Sequence, residues 1–299
     1  MFASTTGHLV DRITQRWVQF TGRPINLKDD PWLSGPIGEP AGIGNQYFHE
    51  LASKLSLRIG PGRGLLDDFG KLRAPEFDPA TVAKPVIEFY EETANYEMDA
   101  WSEWCGAFRP FGWLLALIFS RRLQQLNVPL SSLDTSRGLT SEVWRVVDSV
   151  SAEFRFTAWV RRLLGTGNVL YAGAYSTCRV PNYKGECVKV VFPLPNGNAM
   201  VIMRPVAHED GSFSVISDGK HFGDPGFYFT VHSTRGLRAR HLRALHESIR
   251  VYAAEENTVR ADHVLSLWGI TFLRLHYRLI DKRTKHPTSE SIAFAQGNS

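Results

Sequence analysis

The sequence predicts an α+β protein in which N-terminal helices pack on a C-terminal antiparallel β-barrel or strongly curved sheet, lipocalin-like or helix-grip-like. Three observations carry this expectation: apolar residues recur at helical spacing before position 138, they alternate with period two after position 140, and turn signals punctuate that second half at short intervals. The division that follows is a helical and loop-rich region over 1–138, an antiparallel β domain over 139–284 and a polar tail over 285–299.

With 299 residues, 43% of them apolar, the chain is long enough to bury a substantial core. Its net charge of +4 is modest, and Lys and Arg are spread along the chain rather than gathered beside stacking aromatics, so no nucleic acid is expected as a partner. The densest basic cluster is Arg235, Arg238, Arg240, His241, Arg243 and Arg250, either a local patch for an anionic partner or, as the plainer reading, a solvated strand or helix face. The first twenty residues lack the apolar core of a signal peptide, and the longest uncharged apolar stretch, Pro110 to Phe119, is about half of what a membrane span requires. Cys105, Cys178 and Cys187 form an odd set without a CxxC pair, which argues against a zinc ribbon and for a reduced, cytoplasmic protein. Cys178 and Cys187 flank the turn-like Pro181 to Gly185, so a bridge between them in an oxidising setting stays open.

Leu9, Val10, Ile13, Trp17 and Val18 predict a first amphipathic helix, and Tyr47, Leu51 and Leu55 a second. The Gly/Pro-rich stretches Gly35 to Gly44 and Gly60 to Pro85 are too long for simple connections and carry Leu65, Leu66 and Phe69, as an arm packed on another surface would. Pro85 opens the clearest helical pattern, Val86, Phe89, Tyr90, Thr93, Glu97, Trp101 and Trp104. A second helix is expected from Pro110 to about Leu126, antiparallel to the first, with Trp101, Trp104, Phe108, Phe111 and Trp113 in one aromatic cluster. Beyond Thr140 roughly eight to ten strands follow, and the strongest hairpin signal joins Val188–Leu194 to Ala199–Val206 through Asn196-Gly197.

Two constellations are candidates for chemistry. In the last strand Thr271, Leu273, Leu275, Tyr277 and Leu279 share one face, and Phe272, Arg274, His276, Arg278 and Ile280 share the other. If helices cover the outside of a closed sheet, Arg274 and His276 point inward, and a buried cation demands an anionic or hydrogen-bonding partner. Otherwise the basic face meets water. The loop Ser217 to Tyr228 holds Asp218, His221 and Asp224 among glycines; His221 oriented by an aspartate, with Tyr228 as donor, would suit acid–base work, and Asx turns beside the glycines are the plainer reading. No HxH, HxxxH or HExxH pattern occurs, no phosphate loop, dinucleotide fingerprint or nucleophile elbow is present, and neither metal nor cofactor is expected.

Phe89-Tyr90-Glu91, Thr93, Trp101, Trp104, Phe108-Arg109-Pro110-Phe111, Trp113-Leu114 and Ser120-Arg121-Arg122 together resemble a segment of YndJ-like bacterial proteins. The resemblance implies a bacterial origin and no catalytic residue; larger members of that group carry membrane segments.

The expected function is binding of a hydrophobic small molecule with a polar or anionic group in an enclosed cavity, contacted by Arg274, His276, Arg204, Trp101, Trp104 and Trp113. Two alternatives accompany it. One is an enzyme, such as a cyclase, isomerase or hydrolase, using His221, Asp224, Tyr228 and Glu142. The other is a module docking on a partner or a membrane surface through Trp113, Leu114, Leu117 and Ile118.

Overall fold

A computed structural model describes residues 9–38, 47–105, 139–164, 167, 169–233, 236–255 and 257–285. Fourteen strands form one antiparallel assembly. They are β1 (Arg23–Pro24), β2 (Leu57–Pro61), β3 (Tyr96–Trp104), β4 (Leu139–Asp148), β5 (Phe154–Leu163), β6 (Val169–Arg179) and β7 (Glu186–Leu194), followed by β8 (Gly197–Ala207), β9 (Phe213–Ser217), β10 (Phe227–Ser233), β11 (Gly236–His241), β12 (Leu245–Ala253), β13 (Thr258–Leu267) and β14 (Ile270–Asp281). The main path runs β2-β4-β5-β6-β7-β8-β9-β12-β13-β14-β3, and β10 leaves it at β8 to pair with β11, which in turn pairs with β1. Neighbours in sequence are mostly neighbours in space, as short turns between antiparallel strands require.

The sheet is not closed into a barrel, which corrects the expected fold class: β2 and β3 are its edges, and no ladder among the described residues joins them. Among the described residues the helices are few, so the expected layer of helices is not found there either. Helix α1 (Leu9–Thr21), α2 (Tyr47–Lys54) and α3 (Lys84–Glu91) are short, and the helix expected to run on to Trp104 stops at Glu91. Glu92, at φ −133°, leaves the helix, Thr93 Oγ1 donates back to the Phe89 carbonyl at 2.6 Å, and from Tyr96 the chain is a strand. That strand buries Tyr96, Met98 and Ala100 and exposes Glu97, Asp99, Trp101 and Glu103, a period of two. The helix expected over Pro110 to Leu126, and Trp113 with it, lies outside the described residues.

Although open, the sheet curls. One core unites Val143, Trp159, Tyr175, Val190, Val201, Val215, Val251, Ala261, Leu279 and Met98, which come from ten strands, and side chains from so many strands meet only if the sheet wraps around them. Arg161 of β5 reaches Met98 of β3 across this interior. The segment 62–95 closes one end, with Leu65, Leu66, Phe69, Leu72, Phe77, Phe89 and Tyr90 buried in the same core. Its 3-10 turn at Phe69–Leu72 is capped by Asp68, whose Oδ1 accepts from Gly70 N at 2.8 Å, and Phe69 lies edge-on to Phe213 at 4.9 Å. The arm expected from composition is therefore a plug.

A second core lies on the opposite face of β4 to β8, where Val146, Phe156, Ala158, Val191, Met200 and Ile202 are covered by Trp32, Leu33, Tyr47, Phe48 and Tyr228. The β7–β8 turn is Pro195-Asn196, one residue earlier than expected, closed by the Leu194–Gly197 pair. Asn196 takes φ +60°, the Pro-then-positive-φ pattern of a type II turn. Gly197 is required for a different reason: a Cβ there would collide with the Thr230 carbonyl oxygen of β10.

Candidate functional site

Inside the curl lies a cavity of about 350 Å³, bounded by β3, β5 to β10 and β12 to β14 and by the plug. Its wall is apolar over most of its extent, and the polar groups that reach it are few: Tyr90, Arg161, Tyr171, Tyr175, Glu247, His263 and Tyr277. Period-two alternation places those on strands. Trp159 and Arg161 share one face of β5, Tyr171 and Tyr175 the facing positions of β6, and Leu273, Leu275, Tyr277 and Leu279 the inner face of β14.

Arg161 is the centre of this group. It is only 5% exposed, and its guanidinium carbon lies 4.1 Å from the Trp159 ring centre, 4.6 Å from Tyr171 and 5.4 Å from Tyr277. Three aromatic faces around one cation are favourable but accept little from its N–H donors, apart from the Tyr277 hydroxyl, which makes a side-chain hydrogen bond with Arg161. Nη1 donates to the Met98 sulfur at 2.7 Å, a weak acceptor, and Nε has no partner. No carboxylate among the described residues pairs with it. A buried cation left this far short of acceptors is costly, and an anion entering the cavity would offset that cost.

The neighbouring groups are donors as well. The Tyr171 and Tyr175 hydroxyls lie 2.5 Å apart, and burial pushes the pKa of both, and of Tyr277, above the ordinary tyrosine value, so all three remain protonated. Glu247 Oε2, buried, stands 3.4 Å from Nε2 of the partly buried His263, whose ring stacks on Tyr277.

The residues expected from sequence lie elsewhere. Arg274 is on the outer face, its side chain 48% exposed and 3.6 Å from Glu103. His276 is beside it, with Nδ1 2.7 Å from Asp262 and its ring stacked on the half-exposed Trp101. The inward reading of these two is thereby corrected: the N-terminal segments cover the back of β4 to β8, not of β14, so the basic face of β14 meets water. Arg204 also faces away from the cavity, held by Asp218 through Nε at 3.0 Å and Nη2 at 2.6 Å. Trp104 is on the Met98 side of β3, 6.4 Å from Phe272, which lines the cavity.

The loop after β9 is braced by Asp224. Its Oδ2 accepts from the Lys220 and His221 backbone N–H groups at 2.9 and 2.8 Å, and its Oδ1 from Asn182 at 2.7 Å. The His221 side chain is exposed, and Tyr228 is fully buried in the second core, donating to the Asp224 carbonyl at 2.6 Å. Glu142 sits apart on β4, paired with Arg162 at 2.8 Å. The four expected catalytic side chains therefore do not converge on one pocket. Cys178 and Cys187 are direct cross-strand partners, both as free thiols. Among the described residues no cluster of His, Cys, Asp and Glu could hold a metal ion, and no helix is long and apolar enough to cross a membrane.

A curled, plugged antiparallel sheet around an apolar cavity with a buried cation defines the class: an architecture that surrounds a small-molecule-sized space without sealing it. Comparison with known proteins adds one relative, the uncharacterised membrane protein YndJ of Bacillus subtilis (strain 168), 29% identical over 242 residues. That match takes in 79% of this chain and only 41% of the relative, so the chain spans less than half of that protein's length. No family model matches, and no solved structure matches.

Proposed function

We propose that the protein binds a hydrophobic small molecule carrying an anionic group, with the tail in the apolar cavity and the head on Arg161, Tyr171 and Tyr277. The observation that carries this reading is the buried, under-coordinated guanidinium at the wall of an otherwise apolar space. A volume of about 350 Å³ is at the lower end of what ligand pockets occupy, which suits a single alkyl chain better than a fused ring system. The relative's description as a membrane protein is in keeping with a lipid-like ligand.

Three probes with one tail and different heads test it: dodecanoate, dodecanol and dodecyltrimethylammonium, titrated by calorimetry. Dodecanoate should bind tightest and the cationic probe should not bind. Replacing Arg161 by Met keeps the volume and removes the charge, and it should weaken dodecanoate by roughly 10- to 150-fold, the worth of a hydrogen bond to a charged group, while leaving dodecanol almost unchanged. Equal affinity for all three heads, or an Arg161→Met protein that still prefers the carboxylate, would refute the reading.

A further inference from the structure

Helix α1 presents its apolar stripe to solvent. Ile13, Trp17 and Phe20 fall at i, i+4 and i+7 and are 59%, 39% and 78% exposed, while Val18 alone among its described apolar residues is fully buried. Across a groove from Trp17 stands the β13–β14 turn, where Trp268 is 76% and Ile270 59% exposed. Trp268 and Gly269 take φ +50° and +79°, the two left-handed positions of a two-residue hairpin turn closed by Leu267 and Ile270. Asn or Asp ordinarily fills the first of these, because a bulky side chain is strained there. A tryptophan held in that backbone, at a solvent-facing tip, gains nothing from the fold itself.

Charge identifies what the surface faces. Among the described residues the groove is lined by Arg23, Arg240 and Arg243 and by no acidic residue. Two of the arginines are poised on rings, Arg23 over Phe222 at 4.9 Å and Arg240 over Trp17 at 5.6 Å, and Arg16 projects from the exposed side of α1. Tryptophan and phenylalanine flanked by arginine form the composition that lies at a bilayer's head-group level, with rings among the upper acyl chains and guanidinium groups on phosphates. We infer that α1 and the β13–β14 tip together dock on an anionic lipid surface through Trp17, Phe20, Trp268 and Ile270, with Arg23, Arg240 and Arg243 on the head groups. This face borders the cavity, since Leu245 lines both and Phe229 of the cavity wall meets Trp17 edge-on at 6.5 Å. The inference does not depend on any ligand in the cavity.

Flotation with vesicles tests it, using phosphatidylcholine alone and an equal mixture with phosphatidylglycerol. The full chain should float with the mixture at low salt and much less with phosphatidylcholine alone. Phe20→Ser with Trp268→Ser should abolish flotation; Arg23→Glu with Arg243→Glu should lower it about tenfold or more, and the Lys versions of the same two positions should retain it. Unchanged thermal unfolding and unchanged dodecanoate titration in these variants separate a lost docking face from a lost fold or a lost cavity. The inference is overturned if the wild type ignores phosphatidylglycerol, if the variants float as it does, or if the wild type is a dimer that the Phe20/Trp268 variant dissociates, which would make a second copy the occupant of this face.

Discussion

Arg161 and Arg274 show what alternation along a strand does and does not disclose. Period two separates β14 into an apolar and a basic face, but it does not say which face looks inward; that depends on which strands the N-terminal segments cover. Arg161 carries a subtler signal: it follows Trp159 at spacing two in a strand whose residues from Phe156 to Val160 are buried on both faces, and a cation at that place is enclosed. Tyr171 faces it directly across the β5–β6 ladder, while Tyr175 pairs with Thr157 on the same face, a register that no single sequence announces. Because no carboxylate among the described residues pairs with the guanidinium, Arg161→Met should stabilise the ligand-free protein by about 1 kcal/mol, raising its melting temperature by roughly 2–4 °C in scanning calorimetry, even as it impairs binding. His241 provides a pH-dependent prediction. It is 7% exposed, stacked on Tyr228 at 4.7 Å, and its two ring nitrogens have no hydrogen-bond partner, so burial lowers its pKa from 6.5 to about 4. The unfolded chain takes up this proton as pH falls through 6.5, and the folded chain resists until about 4. Its contribution is therefore complete above pH 6.5 and lost between 6.5 and 4, on the order of 2–3 kcal/mol. Urea unfolding of His241→Phe should lose that much less stability than wild type over this window.

Among the elements, the plug and β3 mark the limits of pattern reading. Residues 96–104 satisfy helical spacing through Glu97, Trp101 and Trp104 and strand spacing through Tyr96, Met98 and Ala100, and the chain adopts the second because β14 offers nine paired positions along it. Tertiary pairing thus overrides a pattern that begins correctly at Lys84. The β7–β8 hairpin was legible because its turn chemistry is local, with Asn196 supplying the positive φ. Packing of the Gly60 to Pro85 arm was also legible, since Leu65, Leu66 and Phe69 interrupt its Gly/Pro-rich run, although its place in the mouth of the sheet was not. The plug should carry a large share of stability. Phe69 is 1% exposed and touches Phe77, Tyr90 and Phe213, so Phe69→Ala should cost about 3–5 kcal/mol in denaturant unfolding.

For the whole molecule, the antiparallel character was written in the sequence and the closure was not. Strand order follows chain order through most of the path, which is what alternation with short turns dictates. The departures are long-range: β10 and β11 leave the path, β9 pairs with β12 across them, and β3 joins the far edge from before the β-rich half. These pairings bend the sheet around a space without sealing it, and they turn the apolar face of β14, not its basic face, toward that space. A crystal of the protein grown with 12-bromododecanoate, with data collected at the bromine edge, locates the ligand most directly. The bromine peak should lie within the apolar cavity with the carboxylate in hydrogen-bonding reach of Arg161. A peak on the outer face beside Arg274 and His276, or a cavity left empty at saturating ligand, would contradict the assignment.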